Sequence, residues 1–266
     1  MDKKIAFFDI DGTMVNVPNG MLHPSSETMR VLNTFKQQGN YIVVATARGS
    51  APGSVQDIDF DGYIFNDGHY ILFNKEVWLD DLFSKEDIAK QIAAYKKHGG
   101  KSMFCGHEQT WCEYLDDPMV IDHREMFSGT RTRPTDQIET FTAADVKAIS
   151  CCVLFETVEQ LKACYNELKE EFTMVPYYTG LIRMDVYRKG FTKGPACQFM
   201  FEKLGIPREN TYAFGDGIND KEMLQLVGHG IAMGNGLDEI KAVADDITDT
   251  VDQDGIAKAF KKYFNI

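Results

Sequence analysis

The chain has 266 residues, 44% of them hydrophobic, and a formal net charge of −12 at pH 7. This length exceeds one typical domain, and the apolar content is enough for one sizeable core or two smaller ones. The negative charge argues against nonspecific binding to nucleic acid or to an anionic membrane, because both require a basic surface.

The first predicted element is a buried strand over residues 5–8, and two carboxylates, Asp9 and Asp11, follow it. Residues i and i+2 of an extended segment point the same way, and Gly12 permits a sharp turn, so both carboxylates can face one crevice. Such a pair attracts Mg²⁺, which prefers oxygen ligands and leaves room for a substrate phosphate. The alternative is a structural turn in which Asp9 caps backbone amides.

The next apolar run, residues 41–45, predicts a second strand that ends in Thr46, Ala47 and Arg48. Thr46 offers a hydroxyl and Arg48 a guanidinium at the same sheet edge, which is the chemistry that a phosphate requires. Thr46 can equally be an ordinary turn residue.

The middle of the chain is a mixed α/β block without such polar motifs. We interpret residues 81–182 as a domain inserted into a catalytic core formed by residues 1–80 and 183–266. The predicted helices of this block cover residues 84–97, 143–147 and 158–169, and the predicted strands cover residues 101–105, 110–115, 149–155, 172–176 and 181–186.

Lys193 precedes a predicted helix in which Pro195 fits the first turn. A lysine near the positive end of a helix is favoured as an anion ligand rather than as a structural residue. For a lone lysine, simple exposure to solvent is the alternative.

A strand over residues 211–214 is followed by a glycine-flexed loop that contains Asp216, Asn219 and Asp220. If this strand neighbours the first one, Asp9, Asp11 and Asp216 provide three oxygen ligands at one edge, with Asp220 close behind. Asn219 and Asp220 also suit the start of a helix, which explains one acid but not the repeated pattern. A last helix is predicted over residues 255–264.

The aspartate pair, the threonine, the lysine and the glycine-aspartate loop occur in the order found in the haloacid dehalogenase (HAD) superfamily of phosphohydrolases, which this chain resembles. The long insert and the run from Gly230 to Asn235 look like the Cof-type hydrolase subfamily. The resemblance implies an α/β fold with a Rossmann-like doubly wound parallel sheet and an inserted α/β cap domain over the active site.

The resemblance also implies roles for individual residues. Asp9 is the implied nucleophile and Asp11 the general acid/base. Phosphate contacts are implied for Thr46, Lys193 and Asn219, and the Mg²⁺ site for Asp9, Asp11, Asp216 and Asp220.

Two loops depart from the family pattern. Ala47 stands where a glycine is usual, and Asn66, Asp67, Gly68 stand where asparagine, glycine, alanine is usual. Neither departure removes a catalytic group, but both concern loops that face the substrate.

These assignments predict Mg²⁺-dependent hydrolysis of a phosphate monoester of a small metabolite, with a sugar phosphate as the expected substrate and an aspartyl-phosphate intermediate on Asp9. Two alternatives remain open. One is a phosphosugar mutase that uses the same aspartate pair with a bisphosphate activator. The other is a non-catalytic phosphosugar-binding protein, which a substitution at Asp9 or Asp11 would have favoured.

The six cysteines include no CxxC pair, which is typical of reduced thiols. The N-terminus lacks the long apolar segment of a signal peptide, and no stretch approaches the length of a membrane span. We therefore expect a cytoplasmic protein. Cys105, His107 and Cys112 are close enough in sequence to raise the question of a zinc site, but no second ligand cluster accompanies them.

Overall fold

The computed structural model describes residues 3–107, 109–128 and 136–266, and the chain divides into two compact units. Unit 1 consists of Met1–Leu79 and Phe191–Ile266, and unit 2 is the segment Asp80–Gly190. The strands are β1 (Ile5–Phe8), β2 (Tyr41–Ala45), β3 (Gly62–Phe65), β4 (Tyr70–Phe73), β5 (Glu76–Asp80), β6 (Lys101–Cys105), β7 (Gln109–Trp111), β8 (Asp136–Ile138), β9 (Ser150–Leu154), β10 (Phe172–Tyr177), β11 (Arg183–Arg188), β12 (Thr211–Gly215), β13 (His229–Ala232) and β14 (Asp246–Ile247). The helices are α1 (Ser26–Gln37), α2 (Lys85–His98), α3 (Pro118–Ser128), α4 (Val158–Leu168), α5 (Lys193–Lys203), α6 (Lys221–Leu226), α7 (Asp238–Lys241) and α8 (Gly255–Phe264).

The sheet of unit 1 has the strand order β14-β13-β12-β1-β2-β3-β4-β5. The strands from β14 to β3 run parallel to their neighbours, whereas β4 runs antiparallel to β3. The link between β3 and β4 is too short for a crossover, so the chain returns as a hairpin and the sheet is mixed at this end.

Helices cover both faces of this sheet because successive residues of its central strand point in opposite directions. Phe8 packs in one apolar cluster with Phe35 of α1 and Phe260 of α8. Phe7 packs in another with Met200 of α5 and Met223 of α6. This arrangement confirms the predicted doubly wound α/β fold of the core.

Unit 2 contains a second sheet with the order β10-β11-β9-β6-β7-β8, antiparallel except for the β7–β8 pair. Helices α2 and α4 cover one face through side chains such as Ile88 and Leu161. Both helices begin with a capping box, in which Ser84 and Thr157 accept from the backbone three residues later.

The boundary that we placed between residues 182 and 183 lies instead after Gly190. Strand β11 pairs with β10 on one side and with β9 on the other, so it belongs to the interior of the second sheet. The apolar alternation of a strand is the same in either sheet, and only its pairing partners assign it to a unit.

One element prediction in this block was wrong, because residues 143–147 form turns and irregular structure instead of a helix. Helix α3 and strand β8 were not predicted. Within the described ranges, no helix combines the length and the apolar composition that crossing a bilayer requires.

Candidate active site

Three polar positions follow adjacent parallel strands of unit 1. Asp9 follows β1, Thr46 follows β2 and Asp216 follows β12, and β1 lies between the other two strands. The backbone N–H of Asp9 donates to the carbonyl of Phe214 at 3.0 Å, which links the start of the turn after β1 to β12. The carboxyl ends of these strands therefore bring the predicted motifs to one edge.

Asp9, Asp216 and Asp220 form a compact acidic group. One oxygen of each lies within 4.8 Å of the others, and among the described residues this is the one such group of three or more potential metal ligands. Cys105, His107 and Cys112 form no comparable group, and His107 Nε2 lies 3.1 Å from Asp80 Oδ1.

Lys193 is fully buried in the first turn of α5, and its ammonium lies between two of these carboxylates. Its Nζ donates to Asp9 Oδ1 at 2.5 Å and to Asp220 Oδ1 at 2.7 Å. Burial acts to lower the pKa of Lys193, but the attraction of Asp220 and Asp9 outweighs it and raises the pKa above its usual value. The lysine is therefore held as a buried cation.

Burial also raises the pKa of Asp9, to about 8, and the nearby Asp220 and Asp216 add to this while Lys193 opposes it. The pKa of Asp216 is raised to about 6, again by burial first, against the hydrogen bond from Thr13. In both groups, burial disfavours the charged carboxylate first, and the neighbouring carboxylates disfavour it further.

Both oxygens of Asp220 accept hydrogen bonds from the protein. Its second oxygen, Oδ2, accepts the backbone N–H groups of Asp216 and Gly217, each at 2.9 Å. Asp220 therefore connects the glycine-aspartate loop to Lys193 and positions both.

The carboxylate of Asp216 packs against the turn that follows β1. Thr13 Oγ1 donates to Asp216 Oδ1 at 2.9 Å. Gly12 has φ +93°, and a Cβ at this position would lie 2.2 Å from Asp216 Oδ2. Only glycine satisfies both the positive φ and the close approach.

The turn of the first motif is also held from the C-terminal part of the chain. Asn235 Nδ2 donates to the carbonyl of Gly12 at 2.7 Å, and Asn235 Oδ1 accepts the N–H of Val251 at 2.9 Å. The run that we compared with the Cof-type subfamily thus contributes a structural contact that sequence reasoning did not predict.

Asp11 lies outside the acidic group. Its two oxygens accept from Nε and Nη2 of Arg48, both at 2.8 Å, and half of its side chain is exposed. The structure therefore does not bring the Asp11 side chain to the other predicted metal ligands, because Arg48 provides a bidentate partner.

Asn219 contacts a residue that we did not predict as part of the site. Its Nδ2 donates to Asp67 Oδ1 at 3.0 Å, and the N–H of Asp67 donates to the carbonyl of Thr46 at 3.1 Å. The signal in the sequence was the departure from the family pattern at Asp67, which we noted without assigning a role.

The donors in the acidic group suit Mg²⁺, since carboxylate oxygens are its preferred protein ligands. Within the described part of the chain, Asp9 and Asp216 each have one oxygen engaged by a protein donor and a second one open to a cation. A divalent cation would also stabilise the charged forms of Asp9 and Asp216, which burial and the neighbouring carboxylates disfavour.

Comparison with known proteins gives a consistent result. The profile of the haloacid dehalogenase-like hydrolases matches residues 6–260. The YkrA protein of Bacillus subtilis strain 168 is 30% identical over 265 residues, which cover 98% of each chain. The 5-amino-6-(5-phospho-D-ribitylamino)uracil phosphatase YitU of the same organism is 25% identical over 270 residues, covering 97% of this chain and 96% of that protein.

A solved structure agrees over the same extent. The HAD subclass IIB sugar phosphatase BT4131 aligns with a TM-score of 0.78 and 29% sequence identity, covering 99% of this chain and 100% of that chain. The similarity therefore includes both units and is not restricted to the sheet of unit 1.

Proposed function

Because the chain belongs to the haloacid dehalogenase-like hydrolase family, and its relatives YitU and BT4131 are named phosphatases, we propose that it hydrolyses phosphate monoesters of small metabolites with Mg²⁺. The observation that carries this proposal is the fully buried Lys193 between Asp9 and Asp220. This contact supports the assignment of Asp9 as nucleophile, because it holds a cation beside that carboxylate at the edge of a parallel sheet.

In the first half-reaction, an oxygen of Asp9 attacks phosphorus in line and forms the P–O bond of an aspartyl phosphate. The bond to the leaving oxygen breaks, and Asp11 donates its proton to that oxygen. Asp11 faces Arg48 in the structure, so it must exchange this partner for the leaving oxygen when it delivers the proton.

In the second half-reaction, water attacks phosphorus and gives a proton to Asp11. The bond between phosphorus and the Asp9 oxygen breaks, which releases inorganic phosphate and restores the Asp9 carboxylate and the protonated form of Asp11. Lys193, Thr46 and Asn219 contact the phosphoryl oxygens. Asp9 and Asp216 would hold Mg²⁺, which would supply charge neutralisation, a main catalytic contribution in phosphoryl transfer.

A sugar phosphate is the proposed substrate class. The sugar phosphatase and the phosphoribitylaminouracil phosphatase among its relatives both act on phosphorylated polyols or sugars by name, at 29% and 25% identity. No residue of unit 2 identifies one sugar.

The test is release of inorganic phosphate from a panel of phosphorylated metabolites, with Mg²⁺ and with EDTA. We expect stoichiometric release that depends on Mg²⁺ and needs no bisphosphate activator. Conversion of one sugar phosphate into its isomer with little free phosphate would instead identify a mutase, and no turnover of any substrate would indicate a binding protein.

The covalent step is tested by Asp9→Asn, since an amide keeps the shape of the carboxylate but is a poor nucleophile. We expect no phosphate release above background, with unchanged circular dichroism. Glu209→Gln is the control, because Glu209 is exposed and precedes the N-terminal end of β12, at the opposite sheet edge. Appreciable steady-state turnover by Asp9→Asn would exclude the aspartyl-phosphate mechanism.

A further inference from the structure

The turn between β3 and β4 carries an unusual backbone. Asn66, Asp67 and Gly68 all have positive φ, at 50°, 51° and 114°. Glycine adopts this region without cost, and aspartate and asparagine tolerate it better than other residues. An aspartate kept at such a position is an observed outlier that calls for a functional explanation.

Asp67 lies among the three residues that we propose as phosphate contacts. Its N–H donates to the carbonyl of Thr46, and its carboxylate accepts from Asn219 Nδ2. The same turn packs closely against the residue before Lys193, since a Cβ at Gly68 would lie 2.5 Å from the carbonyl oxygen of Thr192. The Asp67 carboxylate therefore lies in the neighbourhood of the proposed phosphate contacts.

The Asp67 carboxylate adds a negative charge to a site that already contains several carboxylates. Both nearby cations are already paired, Lys193 with Asp9 and Asp220, and Arg48 with Asp11. The partner available to Asp67 in this set is the uncharged amide of Asn219. While Asp11 is ionised and paired with Arg48, the carboxylates of Asp9, Asp11, Asp67, Asp216 and Asp220 still exceed the positive charges of Lys193, Arg48 and one divalent cation.

We propose that Asp67 is a specificity-determining residue, which favours phosphate monoesters with a neutral or cationic leaving group and disfavours those that carry a second anionic group. The inference rests on the proposed phosphatase function and deepens it. Its physical basis is repulsion between like charges in a partly buried site, where screening by solvent is incomplete.

The variant Asp67→Asn separates this role from a structural one. Asparagine tolerates the left-handed conformation, and its Oδ1 can still accept from Asn219, so only the charge is lost. Asp67→Gly is the second variant, because glycine removes charge and backbone strain together. The control is Glu209→Gln, which makes the same change in net charge at the opposite sheet edge.

The experiment compares two substrates of the same shape, 4-carbamoylphenyl phosphate and 4-carboxyphenyl phosphate. The first has a neutral leaving group and the second an anionic one. The quantity measured is the ratio of their kcat/KM values, from released phosphate at saturating Mg²⁺ and low salt. Differences in phenol reactivity cancel when this ratio is compared between variants.

We expect the wild type to prefer the neutral substrate and Asp67→Asn to reduce that preference about fivefold, as for one charge–charge interaction of moderate strength. Asp67→Gly should reduce it similarly, and Glu209→Gln should leave it unchanged. Added sodium chloride should shrink the difference between wild type and Asp67→Asn, since salt screens the interaction.

Equal changes in kcat/KM for both substrates in Asp67→Asn would assign Asp67 a structural role and overturn the proposal. A wild type without preference, or the same shift in Glu209→Gln, would also overturn it. Absence of Mg²⁺-dependent hydrolysis of either aryl phosphate by the wild type would contradict the proposed function itself, so the two failures are distinguishable.

Discussion

Asp216 and Asp220 lie on one loop, yet their carboxylates have different surroundings. Both oxygens of Asp220 are occupied by Lys193 and by two backbone N–H groups. Asp216 accepts one hydrogen bond from Thr13, and burial raises its pKa to about 6. The protein therefore stabilises the charge of Asp220 by itself, whereas no cation among the described residues forms an ion pair with Asp216.

This difference predicts opposite responses to removal of the charge. Asp220→Asn should lower the free energy of unfolding by about 2–3 kcal/mol, because the fully buried Lys193 loses one of its carboxylates. Asp216→Asn should not destabilise the metal-free protein, since it removes a charge that burial disfavours. Urea unfolding in EDTA measures both effects.

The same variants should differ in activity. High Mg²⁺ should restore much of the turnover of Asp216→Asn, which weakens the cation site, and little of that of Asp220→Asn, which displaces Lys193 and the loop. A titration of kcat/KM against Mg²⁺ checks this. Rescue of both variants to the same extent would show that Asp220 is a direct metal ligand and not a positioning residue.

At the level of single residues, the sequence predicted which strand ends carry polar side chains but not all of their partners. Asp9, Lys193 and Asp216 lie where the strand order requires them. The pairing of Asp11 with Arg48, and of Asp67 with Asn219, depends on side-chain contacts between loops that are distant in sequence. Local pattern contains no information on such contacts.

Helix α8 is attached to the edge strand β14 by Asp246. Its carboxylate accepts from Lys262 Nζ at 2.5 Å and from the Tyr263 hydroxyl at 3.0 Å. Burial acts to raise the pKa of Asp246, but these two donors outweigh it and lower the pKa below its usual value. Folding therefore favours the ionised form of this carboxyl.

Asp246→Asn should reduce the free energy of unfolding by about 1 kcal/mol at pH 7, the sum expected for one partly exposed ion pair and one hydrogen bond. A carboxyl with a lowered folded pKa contributes stability above its unfolded pKa and loses it as the pH falls through the folded value. The difference between variant and wild type should therefore vanish in strong acid. Urea unfolding at several pH values tests this.

The matched control is Asp249→Asn, because Asp249 also pairs with a lysine of α8. Lys258 and Asp249 also form an ion pair, but both side chains are about half exposed, at 55% and 51%. Such pairs contribute little, so we expect a change of a few tenths of a kcal/mol at most. An equal loss in both variants would show that burial of Asp246 is not the deciding factor.

Elements with a clear apolar period were predicted well, and those without one were not. Strands β1 and β2 and helix α8 were predicted at the bounds that the structure shows. Helix α3 escaped prediction because its sequence lacks a marked apolar side, and it contributes Val120 to a small cluster on the less covered face of the second sheet. Because unit 2 interrupts unit 1 along the chain, the sequence pattern alone did not show that β11 belongs to unit 2.

At the scale of the whole molecule, every proposed catalytic and phosphate-contacting residue lies in unit 1. We propose that unit 2 controls access and recognises the shape of the leaving group, whereas Asp67 responds to its charge, and that unit 1 performs the chemical step. Replacing Asp80–Gly190 by a short glycine-serine linker between Leu79 and Phe191 should therefore preserve slow, Mg²⁺-dependent hydrolysis of an aryl phosphate. Activity on a sugar phosphate should fall much further, because an alkoxide needs protonation and orientation that an aryl group does not.

Both activities are measured as phosphate release, with circular dichroism and a cooperative unfolding transition as evidence that the shortened protein is folded. Asp9→Asn in the shortened protein is the control for contaminating phosphatases. A folded but inactive shortened protein would show that unit 2 supplies a catalytic group.

The cysteines are distributed unequally between the units. Cys197, buried on α5, is the single cysteine of unit 1, and the other five lie in unit 2. Burial raises the pKa of the Cys197 thiol well above its usual value. A thiol reagent therefore reacts with the thiolate of Cys197 only when the helix opens. Timed alkylation followed by peptide mass spectrometry would therefore record the opening of the two units separately in one native sample, without an introduced label.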